Sequence, residues 1–377
     1  MLSSLEADRT YILALDAQIE QLEHCPAEKW LKRAEAQARL DAYKYPVLII
    51  PNEIISEIFV QFLPTYPLCP ALAGLDSPTL LTHICSQWRE VALSTPQLWR
   101  AIPLSGYGAG AIHIAKAWLS RAGCCSLSVN IRMQVGRLDD PEYYDVGLLT
   151  ALISRRAHFE HLTVAGTEMH LPLLDGPLPR LYHLELGRLR YLPATSSGSI
   201  GIKLDSEAAP LLRSVVLSDG ATLGVEYVEL PWEQLTTIAL RHGSPDTFCS
   251  ILQRTLNLIH CDLDFKQRYI RDGFDVLPEV CMPRLRSLIL NGPGDRFIGS
   301  LVAPTLRSLT VSEQCFTVVG IDPVNLLSAF ISKSACELDQ LCIVYPNRRN
   351  GPFIEMENLH LAFSSIPNIF ASPRMRS

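Results

Sequence analysis

The chain has no Cys-x-x-Cys pair, no Gly-x-Ser-x-Gly elbow, no Walker phosphate loop and no His-Glu-x-x-His pattern. These gaps leave no familiar spacing for structural zinc, for a serine nucleophile or for nucleotide hydrolysis. Clustered positive charge is also scarce. The densest groups are Arg348-Arg349 and Arg374 to Arg376, in a chain of net charge −6. That offers no electrostatic footprint for nucleic acid or for an anionic membrane. No apolar run is long enough to span a bilayer, since the longest, Val47 to Leu63, is broken by Glu53 and Glu57. The first ten residues, MLSSLEADRT, carry acids early and lack the basic-then-apolar order of a secretion signal. The eleven cysteines are dispersed and odd in number. They read as reduced, mostly buried thiols of an intracellular protein, placing it in cytoplasm, nucleus or both. No residue set asks for a cofactor or metal. His158 and His161 have helix-like spacing but no third ligand nearby.

What the chain does have is apolar mass: 377 residues at 48% hydrophobic, enough for two or three folded cores. Residues 1–45 read as helix. Leu5, Ile12 and Ile19 share one heptad position, and Leu15 and Leu22 share the d-type position. Pro26 interrupts the pattern, which then resumes in an Ala-, Glu- and Arg-rich stretch. Two or three heptads suit either weak self-association or a helix folded back on the body.

In "PNEIISEIFVQFLP", Ile54, Ile55, Ile58, Phe59, Phe62 and Leu63 cover about half a helix circumference, more than one packing neighbour requires. A second helix is expected over "SPTLLTHICSQWREVALST", with Ser77 as N-cap and Pro78 at the first helical position. Pro96 opens a third short segment with Leu98 and Trp99. A unit of roughly 55 residues with so much apolar face predicts a partner surface. Trp99 is expected in the unit's own core. Trp88 is expected to serve both core and partner.

These residues carry a resemblance. Ile50-Pro51-x-Glu53-Ile54-Ile55-x-x-Ile58-Phe59, then Leu80-Leu81-x-x-Ile84-Cys85-x-x-Trp88-Arg89, then Pro96-x-Leu98-Trp99 resemble an F-box, over about Val47 to Leu104. Ile50 stands where the family has leucine, and Pro64 to Asp76 is a longer insert than its minimal pattern. With the heptads and "LDAYKYPVL", the chain resembles the fungal F-box-like proteins. The resemblance implies docking on the Skp adaptor and cullin of an SCF-type ubiquitin ligase, with no catalysis by this chain. It implies adaptor contacts from Ile50, Pro51, Ile54, Ile55, Ile58, Phe59, Leu63, Ile84, Cys85 and Trp88, with Ile54, Ile58, Phe59 and Trp88 partly exposed before docking.

The remaining two-thirds repeat. "PRLYHLEL" from Pro179, "PRLRSLIL" from Pro283 and "PTLRSLTV" from Pro304 share Pro-x-Leu-x-x-Leu-x-Leu, with looser copies elsewhere. The central positions are Leu162, Leu184, Val215, Ile238, Ile259, Leu288, Leu309 and Leu341, spaced 21 to 32 apart, close to the leucine-rich-repeat range. Capped helices fit the longer gaps, after Asp145, Ser244-Pro245 and Asp322-Pro323. The C-terminal "IPNIFASPRMRS" does not read as a further repeat. The expected fold is α+β and multidomain: an N-terminal helical segment (1–45), a small all-helical F-box-like domain (46–104), a linker and helix (105–126), and a leucine-rich-repeat-like solenoid with a parallel sheet (127–377).

Side-chain alternation assigns the residues flanking each central position to one open face. Among them His161, His183, Glu185, His260, Ile289 and Thr310 are the expected contacts to a protein target. Glu185 is the only full charge in those pairs, so the face is expected to be neutral, free of arginine and unsuited to phosphorylated targets. Two other readings exist. One is a leucine-rich scaffold with no ligase role. The other is an oxidoreductase, from Gly106-x-Gly108-x-x-Ala111, but the next strand-like run ends in Asn130-Ile131-Arg132 with no acid for a ribose.

Overall fold

The computed structural model describes residues 2–21, 27–42, 49–105, 109–132, 146–167, 172–190, 202–218, 228–266, 277–316, 322–345 and 356–373. The chain divides into two compact units, Met1–Phe62 with Leu81–Leu93, and Leu63–Leu80 with Ser94–Ser377. These units cut across the expected segments: the insert after Phe62 and the Trp99 segment belong with the sheet.

In the first unit, α1 (Leu2–Gln21) and α2 (Ala27–Ala42) pack as an antiparallel hairpin, tied by Asp16–Arg33 at 2.6 Å and Asp8–Arg39 at 3.3 Å. The heptad residues Leu5, Ile12 and Leu15 are buried, on a helix paired with α2 of the same chain. Leu22 and Pro26 lie outside the described residues. Next, α3 (Asn52–Phe62) begins with the amides of Ile54 and Ile55 donating to the carbonyl of Pro51. The expected second helix is split. A 3₁₀ turn, Pro78–His83, which starts in the second unit's Leu63–Leu80 stretch, ends before α4 (Ser86–Leu93). Ser77 still caps the turn, its Oγ accepting from the amide of Thr79 at 3.2 Å. The split has a local cause: the Cys85 sulfur accepts from the amide of Trp88 at 3.5 Å, so a second cap starts α4.

The second unit is a long parallel sheet. Its strands are β1 (Ala101–Ser105), β2 (Leu127–Arg132), β3 (Phe159–Thr167), β4 (His183–Arg190), β6 (Ser214–Ser218), β8 (Thr237–Gly243), β9 (His260–Phe265), β11 (Ser287–Asn291), β13 (Ser308–Ser312), β14 (Gln340–Tyr345) and β15 (Asn368–Pro373), hydrogen-bonded in that order. Two short parallel pairs accompany it, β5 (Ile202–Lys203) with β7 (Val228–Glu229), and β10 (Val280–Cys281) with β12 (Leu301–Val302). The helices are α5 (Ala109–Arg121), α6 (Val146–Ser154), α7 (Pro245–Leu252), α8 (Asp295–Ser300), α9 (Pro323–Ser334) and α10 (Met356–Ala362). Ser244 Oγ accepts from the amide of Thr247, and Asp322 Oδ1 from that of Val324. The expected caps of α7 and α9 are therefore made. Asp145, expected to precede α6, is outside the described residues.

Strand register stacks the repeat's leucines into ladders. Leu162, Leu184, Val215, Ile238, Cys261, Leu288, Leu309 and Leu341 form one buried row, and Val164, Leu186, Leu217, Leu240, Leu263, Leu290, Val311 and Ile343 the next. Each such side chain contributes about 1.5–3 kcal/mol when fully buried. No strand can bury its row alone, because the covering apolar surface comes from the neighbouring repeat. One expected centre is corrected. Cys261, not Ile259, occupies the row, so the open-face pair there is His260 and Asp262. The C-terminal expectation is also corrected, since β15 adds a strand parallel to β14. Beyond β11, Gly292 sits at φ 80°, and a Cβ there would stand 2.5 Å from the carbonyl oxygen of Phe265. Glycine is required on both counts.

Gly106 and Gly108 are outside the described residues. The main sheet order follows the chain order without reversal. Among the described residues the sheet shows no reversal of the kind at which open α/β sheets seat dinucleotides.

Candidate interaction surfaces

On the helical unit, α3 presents Ile54 (53% exposed), Ile58 (52%) and Phe62 at i, i+4 and i+8. Residues so spaced share one face. Ile84 and Leu93 are exposed in the same unit, as is Ile49. The opposite side of α3 is core. Ile55 and Phe59 are each 1% exposed, and Phe59 meets Trp88 edge-on at 5.0 Å. The expected exposure of Phe59 is therefore corrected: it is the ring that holds Trp88 in place. Trp88 is half-buried, and its buried indole N–H has no hydrogen-bond partner among the described residues. Ile50 and Cys85 are half-buried and Pro51 is exposed, while Leu63 falls in the sheet unit. Phe62 and Leu93 were not among the expected contacts. The helical arc contained Phe62, but nothing local marked which part of the arc faces outward.

Trp99 requires a second correction. It is fully buried in the sheet unit, edge-on to Trp118 of α5 at 5.6 Å, with the Arg121 guanidinium over its ring at 4.8 Å. Its core is the start of the sheet, not the helical unit.

The open face of the sheet carries two rows of alternating residues. One runs Ser128, His161, His183, Ser214, Thr237, His260, Ser287, Ser308, Gln340 and Asn368. The other runs Asn130, Thr163, Glu185, Val216, Ala239, Asp262, Ile289, Thr310, Cys342 and Phe370. All six expected target residues lie on these rows, with Ile289 and Thr310 half-buried and His260 exposed. The expectation of a face without arginine is overturned. Arg132 Nη2 donates to both carboxylate oxygens of Glu185, at 3.0 and 3.2 Å. Arg241 grips Asp262 in a two-point fork at 3.0 and 2.7 Å, and Asn291 also donates to Asp262 at 3.4 Å. Burial pushes the Asp262 carboxyl up, against the opposing pull of Arg241. These charges escaped the sequence because they sit one alternation further along the strands than the flanking pairs, or depend on the shifted register at Cys261.

The insert after Phe62 forms a strap on the beginnings of β2 and β3. Ser128 Oγ donates to the carbonyl of Pro67 at 2.7 Å, and Cys69 Sγ lies 3.9 Å from Ser128 Oγ. Burial raises the Cys69 thiol to about 11, so it stays protonated near neutral pH. The Tyr66 ring stands edge-on to His161 at 5.4 Å, with Arg100 stacked 3.9 Å from its centroid, and its hydroxyl donates to Glu160 at 3.2 Å. His161 also lies 5.8 Å from His183, whose Nδ1 is 2.8 Å from Ser214 Oγ. His161 and His183 are thus both half-buried and engaged by their own chain, and His260 is the exposed one of the three.

Burial lowers the pKa of both His161 and His183, and their mutual repulsion lowers His161 further, while Glu160 and Glu185 oppose the shift. Both are neutral in the fold at neutral pH. A lowered pKa means the unfolded chain binds more protons, so stability rises with pH. The contribution is complete above the unfolded value of about 6.5 and is lost as pH falls below it. Melting temperature should therefore drop between pH 7.5 and 5.5, and His161→Gln with His183→Gln should flatten that slope. Equal slopes in parent and variant would exclude this pair as the source.

Among the described residues, no group of three or more His, Cys, Asp or Glu side chains is placed to hold a metal ion, and no helix is long and apolar enough to cross a membrane. Comparison with models of known protein families finds no match, and comparison with curated proteins finds none either.

Proposed function

We propose that this protein is a substrate-receptor subunit of an SCF-type ubiquitin ligase, in which the helical unit docks on a Skp-type adaptor and the sheet unit holds a protein target. The observation that carries the reading is the exposed Ile54, Ile58 and Phe62 face of α3, backed by the rigid Phe59–Trp88 pair. A small helical unit leaves such a face in water only at a cost that docking removes. The F-box-like order of Pro51, Glu53, Ile84, Cys85, Trp88 and Arg89 points to the adaptor as the occupant. In this reading the chain performs no chemistry, and specificity resides on the open sheet face with its two arginine–carboxylate pairs.

The test is co-purification. The tagged full chain, expressed in a fungal cell, should bring down the endogenous Skp-type adaptor together with cullin. Recovery of target proteins with neither of those would favour a scaffold with no ligase role.

A further inference from the structure

The geometry points to a contact site for an acidic, carboxylate-bearing segment of a protein partner, on the rim where the strands begin, built from Arg284, Arg286 and Leu256. It rests on the receptor reading above and names the chemistry of the target. The amide of Arg286 donates to the carbonyl of Ile259, and that of Arg307 to the carbonyl of Arg286, both at 2.9 Å. Arg286 and Arg307 therefore hold equivalent positions on neighbouring repeats, about 4.8 Å apart along the sheet. Like charges at that spacing repel and destabilise unless something neutralises them. For Arg307 the chain supplies the neutralisation itself, through Glu337 at 3.3 Å and Asp339 at 3.9 Å.

Arg284 and Arg286 receive nothing comparable. Both are exposed, and neither guanidinium has an ion-pair or hydrogen-bond partner among the described residues. The turn carrying Arg284 is nonetheless held. The single hydroxyl proton of Thr305 is shared between the carbonyls of Pro283 and Leu285, which lie 2.9 and 3.0 Å from its Oγ1. One strand earlier in register, the turn before β9 exposes Leu256 (53%). Two unpaired cations on a pinned turn, with an exposed leucine on the turn leading into the adjacent strand, complement a segment that alternates carboxylates with an apolar residue. Arg284 and Arg286 are two residues apart, up to roughly 7 Å along the chain. That spacing serves two separate carboxylates better than one phosphate, on which guanidinium groups converge.

The probe is a fluorescein-labelled peptide, EELEELEE, with its glutamine counterpart QQLQQLQQ, titrated into the full chain and followed by anisotropy. The glutamate peptide should bind, weaken as salt rises, and bind at least about tenfold more weakly to Arg284→Glu with Arg286→Glu. That variant should melt no lower than the parent, since Arg286→Glu puts an opposite charge beside Arg307, and should keep its capture of a recombinant Skp-type adaptor. Equal binding of the two peptides, equal binding by parent and variant, or no binding at millimolar peptide would each overturn the site. A phosphoserine version bound about tenfold tighter than the glutamate peptide, and lost in the variant, would overturn the carboxylate assignment. Failure of the parent chain to capture adaptor, with peptide binding as expected, would remove the receptor reading and leave the rim site standing.

Discussion

A chain carrying Ile54→Asp and Ile58→Asp is expected to lose capture of a Skp-type adaptor by about a hundredfold or more while melting at the parent's temperature. Both side chains are about half exposed in the free protein and stand one helical turn apart on α3. In water the two carboxylates are solvated, so the fold has little to lose. In a docked complex each would be buried in an apolar contact with no partner, which costs several kcal/mol per charge. A hundredfold loss is only about 2.7 kcal/mol, so the expected effect is a conservative reading of that penalty. The choice of residues matters. Phe59→Asp would also abolish binding, but Phe59 is core and braces Trp88, so the helical unit would come apart and the result would say nothing about docking. Pull-down at matched protein concentration, with a thermal melt of the same sample, separates the two outcomes. Adaptor held at parent strength by the double variant would refute docking through this face.

Trp99→Ala should be the most damaging single change in stability. Trp99 is fully buried, edge-on to Trp118 and beneath Arg121, where α5 covers the first strands. Removing a buried tryptophan leaves a cavity whose walls relax only in part, at a cost of about 3–5 kcal/mol. For a unit of this size each kcal/mol lowers the melting temperature by about 2–4 °C, so a fall of roughly 6–20 °C is expected. The loss belongs to the sheet unit, because the partners of Trp99 are there. Differential scanning calorimetry checks it directly. A variant that melts with the parent would show that Trp99 is not the keystone its burial implies.

The parts of the fold that could be read in advance are those carried by local pattern. The Pro-x-Leu-x-x-Leu-x-Leu copies place Leu184, Leu288 and Leu309 in the buried row because period-two alternation and the turn-forming proline coincide there. Ser244 and Asp322 were legible as caps because a short polar side chain before proline has one obvious role. Where two registers satisfy the pattern, the pattern fails. "LNLIHC" offers apolar residues at both Ile259 and Cys261, and only pairing with Ile238 selects Cys261. β1 and β15 were not recognised as strands of the sheet, and β2, read as a strand, received no central position, because all three lack the repeat's leucine spacing and are specified by the strand beside them. On α3 the half-circumference arc was visible, but Ile58 and Phe59 are equally apolar. Which of them faces water depends on Trp88, far along the chain. The strap is the extreme case. Tyr66 and Glu160 meet across 94 residues, and no local rule connects a Thr-Tyr-Pro stretch with the start of a distant strand.

The most direct test of the central claim is hydrogen exchange on the full chain, alone and mixed with a purified Skp-type adaptor. Docking predicts a one-to-one complex by light scattering, with slowed exchange confined to α3 and the Ile84–Leu93 stretch and no change across β4 to β14. A complex protecting the sheet instead, or no complex at concentrations well above those of a working ligase, would contradict it.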